Sequence, residues 1–313
     1  MDEMKKDVPI VLFVYNRPEH TKKTLDYLNH NRGIDNTVLY IFSDGAKKGE
    51  EQKIENVRRI LREFLNKSHF KNLYIEESTT NKGLANSVIS GVTNIFNQYD
   101  KVIVLEDDLL TATDFYQYMR DALAYYQEDN RVWSITGYSP RMKRLEKTSH
   151  KVYTSPRAGS WGWGTWKDRW ETIDWDVSDY DSFKNDEVQR RLFDKRSPGM
   201  AHMLDLQMEG KIDSWAIRWC YQQHKNGMYT INPVKSKIMN IGNDGTGTHN
   251  ETDNKWNISF DNTNEKTVFE PVKIDKRVFK EYNKYFTNPL WRRIYKRIKR
   301  MINSLGIASR CVN

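Results

Sequence analysis

Short apolar runs alternate with helical spacing through the first third of the chain. Val8 to Tyr15 (VPIVLFVY) stops at Asn16-Arg17-Pro18, and Pro18 suits the first turn of a helix running to about Asn31 with Leu25 and Leu28 on its inner face. Thr37 to Phe42 forms a second strand pattern that ends in Ser43-Asp44-Gly45, followed by a charged helix from about Glu50 to Leu65. Leu73 to Glu76 makes a third, after which Asn81-Lys82-Gly83 opens a helix through Phe96. Lys101 to Leu105 then runs straight into Glu106-Asp107-Asp108. Strands alternating with helices predict an α/β fold built on a mainly parallel, Rossmann-like sheet. In such a sheet ligands bind beyond the carboxyl ends of the strands, which gathers Asn16, Arg17, Asp44, Lys82, Gly83 and the three acids on one rim.

Three adjacent carboxylates repel one another, and a hard divalent cation, Mg²⁺ or Mn²⁺, relieves that repulsion. The same acids could instead complement the dipole of a helix beginning near Thr111 to Asp114. Asn16 and Asp44, taken singly, also suit turns and helix caps. The chain contains no G-x-G-x-x-G and no G-x-x-x-x-G-K-[ST], so any phosphate must be neutralised by a cation with Arg or Lys.

The second half predicts a helix from about Asp114 to Tyr126, a strand from Arg131 to Thr136 and a polar insertion. Ser160-Trp-Gly-Trp-Gly-Thr-Trp166 follows, with Trp170 and Trp175 close behind. Its tryptophans fit either a core or, given the interleaved glycines, a shaped surface on which Trp161 and Trp163 stack against sugar C–H faces. Lys211 to Trp219 has helical spacing, and Asp213 at its start is a cap, a dipole partner or a reactive carboxylate. Asn240 to His249 is glycine-rich and ends in a histidine. From Leu290 onward, apolar residues at helical spacing alternate with bases, the pattern of a basic amphipathic helix that binds an anionic membrane surface through 290–305 or packs on the body.

Composition refines this picture. The net charge is +8, but seven basic residues and no acids follow Leu290, which leaves only +1 on the rest of the 313-residue chain. That distribution disfavours nucleic acid as a partner. Two distant cysteines indicate neither a disulfide framework nor a zinc site. No signal-peptide core and no uncharged run of about 20 residues is present, which predicts a cytoplasmic protein associated with the inner face of the cell membrane.

The series Val-Tyr-Asn16-Arg17, Ser43-Asp44-Gly45, Asn81-Lys82-Gly83-Leu-Ala and Val-Leu-Glu106-Asp107-Asp108 resembles the nucleotide-sugar glycosyltransferases of the GT-A fold. Its Glu-Asp-Asp is similar to the Asp-x-Asp signature as it occurs in the N-acetylglucosaminyltransferase I group and in related bacterial polysaccharide transferases. The resemblance spans about residues 8 to 250. It implies a GT-A domain over 1–260, with a nucleotide-binding half (8–110) and an acceptor half (111–260), and a C-terminal extension over 261–313.

By that resemblance the donor is a UDP-sugar and the acceptor a saccharide or lipid-linked saccharide. Arg17 would approach the diphosphate or base, Asp44 would pair with the uracil imide, and Lys82 and Gly83 would lie along the nucleotide. Asp108 would ligate the Mn²⁺ or Mg²⁺, with Glu106 and Asp107 on ribose, sugar or metal-bound water. Asp213 would be the general base of an inverting reaction, and His249 a further metal ligand on a closing loop. Two other readings fit less well. A sugar-phosphate nucleotidyltransferase would need a glycine-rich, Arg/Lys-containing signature loop after the first strand, and a non-enzymatic peripheral membrane or nucleic-acid binding protein would rely on the basic tail.

Overall fold

The computed structural model describes residues 8–244, 258, 261 and 265–287. His249 and the basic stretch 290–305 lie outside the described residues. The first four strands are β1 (Ile10–Val14), β2 (Val38–Ser43), β3 (Asn72–Glu77) and β4 (Lys101–Glu106). They alternate with α1 (Pro18–Asn29), α2 (Glu51–Leu65) and α3 (Leu84–Ile95), and a short 3₁₀ turn at Ile34–Asn36 precedes β2. The short strand β5 (Leu109–Thr111) leads to α4 (Phe115–Tyr125), and β6 (Val132–Thr136), β7 (Val152–Ser155) and β8 (Trp163–Trp166) follow. Helices α5 (Lys167–Trp170), α6 (Tyr180–Asn185), α7 (Glu187–Arg196), α8 (Met200–Met208) and α9 (Trp215–Lys225) precede β9 (Tyr229–Pro233) and β10 (Ile238–Asn240). The last described helix is α10 (Lys276–Phe286).

Eight strands form one sheet in the order β3-β2-β1-β4-β8-β6-β9-β7. β3, β2, β1 and β4 are mutually parallel, β6 and β9 point the same way, and β8 and β7 run against them. The expected α/β architecture, a large mostly parallel sheet flanked by helices, is therefore present. Side chains on each strand alternate between two faces. Ile10, Leu12 and Val14 of β1 join α1, α2 and α4 in one core, whereas Val11 and Phe13 join α3 and α9 in the other. All five residues of β1 are buried, as a strand central to a two-faced sheet requires.

Register fixes the functional edge. Val14 of β1 lies beside Ser43 of β2, and Phe13 beside Glu106 of β4. The chain thus leaves β1, β2 and β4 at one level, on adjacent strands about 4.8 Å apart.

Beyond β4 the backbone turns through Asp107 and Asp108 into β5, which pairs antiparallel with β10, Asn240 opposite Leu109. A buried cation steadies this ribbon, since Lys237 Nζ donates to Asp114 at 2.6 Å and to Asp261 at 3.0 Å. Described residues after 260 also pack on the body. Phe269 and Val272 lie against the first core, and Tyr282 of α10 is buried with Met142, Leu145 and Tyr153. Among the described residues no helix is long and apolar enough to cross a membrane.

Candidate functional site

The acids after β4 meet a cation from the end of β1. Arg17 Nη2 donates to Asp107 Oδ1 at 2.6 Å and to Asp108 Oδ2 at 2.8 Å. Asp107 is buried, and its second oxygen accepts from the Tyr15 backbone N–H at 3.2 Å. Burial pushes the Asp107 carboxyl up, opposed by Arg17. Burial also works against the Arg17 charge, but the two aspartates outweigh it and hold the guanidinium more firmly protonated than usual. Glu106 has no such guanidinium contact. Although only half-buried, it is pushed up to about 8, first by loss of water and then by the charges of Asp108 and Asp107.

Two further features of this rim were not legible as site features in the sequence. Glu50, just ahead of α2, accepts from the Tyr15 hydroxyl in a short hydrogen bond and from Asn16 Nδ2 at 2.6 Å. The Tyr15 hydroxyl is pushed up to about 12 by burial and by this bond, and Glu50 is held low chiefly by the same contact. Asn16 thereby has one amide N–H engaged by Glu50. The only sequence signal was an acid following Gly49 at the start of a helix.

The second feature is Gly242. The chain after β10 crosses directly over the acids, where Ile241 N–H donates to the Asp108 carbonyl at 2.9 Å. A Cβ at Gly242 would lie 2.1 Å from Asp108 Oδ2, so no other residue fits while that carboxylate stays in place. His20 Nε2 sits 3.1 Å from Asp244 Oδ2 just beyond, tying the crossing segment to α1.

The β2 end is organised differently. Asp44 Oδ1 accepts from the N–H groups of Gly45 (2.8 Å) and Lys82 (2.9 Å), while Oδ2 accepts from Gly83 N–H and Asn81 Nδ2, both at 3.1 Å. This carboxylate closes the loop that leads into α3, and Gly83 adopts φ +78° there, a conformation glycine supplies without strain. Lys82 is exposed, with Nζ 3.6 Å from Glu76.

Asp213 belongs to the same neighbourhood. Its Oδ2 accepts from Ala85 N–H at 3.4 Å and stands 3.1 Å from where a Cβ of Gly83 would be. It is not the cap of α9, because Ser214 fills that position with its hydroxyl on the Ile217 N–H. Asp213 is exposed, free to face a ligand on this rim.

The tryptophan-rich stretch divides. Trp163 is a core residue with no surface exposed: its ring lies 4.4 Å from Trp219 and 5.1 Å from Trp215, and stacks on Trp170 at 5.8 Å. The expected sugar contact at Trp163 is thus corrected, because β8 is a buried strand paired antiparallel to β4 and offers the ring no open face. Trp161 is half-buried against Tyr138, edge to face at 4.5 Å, and precedes β8 on the side of the sheet where β4 ends.

The donor set can be tested against a divalent cation. Among the described residues no three His, Cys, Asp or Glu side chains converge as a ready-made cage. Magnesium and manganese commonly need only one or two carboxylates, with substrate phosphates and water completing the shell. Asp108 and Asp107, which share a single guanidinium and so are only partly neutralised, suit that kind of site.

Comparison with known proteins identifies a family. A model of the GNT-I family matches residues 1–205. Among solved structures, the mannosyltransferase PcManGT from Pyrobaculum calidifontis, in complex with GDP-Man and Mn²⁺, is 14% identical with a TM-score of 0.35, covering 52% of this chain and 45% of its own. TarS of S. aureus is 12% identical with a TM-score of 0.40, covering 74% and 36% respectively. The chain therefore spans less than half the length of either. No curated protein matches.

Proposed function

Because this chain belongs to the GNT-I family of glycosyltransferases, we propose that it moves a sugar from a UDP-sugar to a hydroxyl of a saccharide or lipid-linked saccharide, in a cation-assisted, inverting reaction. The observation that carries this reading is the pairing of Arg17 with Asp107 and Asp108, on the rim it shares with Asp44, Lys82 and Asp213. A departing nucleoside diphosphate gathers negative charge. Asp108 and Asp107 would hold a Mn²⁺ or Mg²⁺, which supplies Lewis-acid stabilisation of that charge. Arg17 orients both carboxylates and adds its own positive charge beside the phosphates.

The nucleoside would lie along Lys82 and Gly83. Asp44 shapes that loop through its backbone hydrogen bonds and faces the base with whatever acceptor capacity remains. Asp213, exposed beside Gly83, takes the proton from the acceptor hydroxyl as it attacks the anomeric carbon. Gly242 keeps the backbone close over Asp108 and limits water there. His249 as a further ligand and 290–305 as a contact with anionic lipid extend the same reading.

Calorimetry with UDP and MnCl₂, together with mass-spectrometric detection of donor hydrolysis across a panel of UDP-sugars, tests it. Asp213→Asn should leave UDP affinity within about twofold and lower transfer by about 10²-fold or more. Wild-type transfer rates in both Asp213→Asn and Asp108→Asn would sink the mechanism.

A further inference from the structure

The nucleotide rim does not end at Asp44. A cleft of about 230 Å³ lined by Asp44, Lys82, Ser87, Phe42, Glu76 and Asn94 runs from it between β3 and α3. The last three of these residues also line a larger open groove of about 640 Å³, so the two are continuous. The groove follows β2 from Asp44 back to Val38, about 20 Å at strand rise, over a face of β3 that no described element covers.

Its floor is an aromatic ladder. Tyr99 is buried and its hydroxyl lies 3.2 Å from that of Tyr40. Tyr40 stacks on Tyr74, its direct partner across the β2–β3 pair, with ring centroids 5.1 Å apart and planes 24° from parallel. Tyr74 leaves 53% of its surface open. Around the ladder stand Asn72, Asn94 and Gln98, each with amide donors and acceptors, and Glu76.

We infer that this groove is a second saccharide-binding site, which holds an arm of an oligosaccharide acceptor while its reacting hydroxyl is at the rim. A tyrosine face carries negative quadrupole density and attracts the weakly positive C–H face of a pyranose. The surrounding amides and carboxylate match ring hydroxyls, which both donate and accept. A few convergent polar groups on an apolar floor of this volume is the usual form of a small-molecule site. A protein partner would find fewer aliphatic anchors here, and the continuity with the rim gives a glycan chain a path that a separate partner would not need. The inference rests on the transferase reading for its class of ligand.

The test is binding of the full chain, labelled, to a printed array of defined glycans, with UDP calorimetry and sedimentation run on the same proteins. Wild type should bind a subset of the array. Tyr74→Ala should weaken that subset at least tenfold, while Tyr74→Trp and Asp108→Asn retain it and UDP affinity is unchanged in both Tyr74 variants. The groove assignment is overturned if wild type binds no glycan on the array, or if Tyr74→Ala binds as wild type does. It is equally overturned if wild type sediments as a dimer that Tyr74→Ala converts to monomer, which would give the face to a second copy of the chain. Tyr74-dependent glycan binding without UDP binding would instead remove the transferase reading and leave the groove standing.

Discussion

The ends of β2 and β4 carry the same chemical groups and treat them in opposite ways. At β2 a single carboxylate, Asp44, meets three backbone N–H groups and an amide, all within 3.1 Å. At β4 two of three carboxylates share one guanidinium, and the third, Glu106, is pushed up to about 8 by burial and by its neighbours. Hydrogen-bond donors arrayed around one anion produce a rigid turn. A surplus of anions around one cation produces a place that gains from further positive charge. The first rim therefore holds a shape, and the second is the one to which the proposed function assigns an ion.

The largest expected break in that contrast is at Asp108. Asp108→Asn should lower transfer by about 100-fold or more, about 2.7 kcal/mol, and abolish the Mn²⁺ dependence of UDP binding measured by calorimetry, with little change in melting temperature. Asp44→Ala should do the reverse. It removes the acceptor of the loop's N–H groups and should cost about 1–3 kcal/mol of stability by urea titration, with Mn²⁺ binding at Asp108 retained.

Gly242→Ala forces its Cβ against Asp108 and should cost about 1–3 kcal/mol, accompanied by weaker Mn²⁺ binding; normal binding would show that the crossing segment is free to lift. The smallest effect concerns pH. Glu106 titrates near 4.5 when unfolded and at about 8 in the fold, so its stabilising contribution is complete below 4.5 and is lost as pH rises through 8. Metal-free protein should lose stability over that window, and Glu106→Gln should flatten the slope.

Much of the first half was legible because its physics is local. Apolar strands of five or six residues, polar strand ends and helical spacing set the order of elements, and a parallel sheet then brings Arg17, Asp44 and Asp108 to one edge regardless of the distance between them in the chain. The second half was less legible. The Trp-Gly repeat looks like a surface but forms β8, whose pairing with β4 depends on a long-range antiparallel insertion that periodicity does not report. Asp213 was legible as an acid ahead of a helix, yet Ser214 is the cap, and the contact of Asp213 with the start of α3 joins positions 128 residues apart. Glu50 and Gly242 gave ordinary sequence signals, an acid before a helix and a glycine in a loop. Their importance comes from what lies across the gap.

One property of β3 bears on handling the protein. Among the described residues it is the outermost strand of the sheet, so along one side its backbone N–H and C=O groups have no described strand beside them. An open edge of this kind recruits other chains unless charge keeps them away. Lys71, Glu76 and Glu77 place ionised groups at and beside this edge, with Glu77 paired to Arg62 and Glu76 to Lys82. These charges act as gatekeepers against strand-to-strand aggregation, and neutralising both glutamates would trade away solubility before it cost any folding stability.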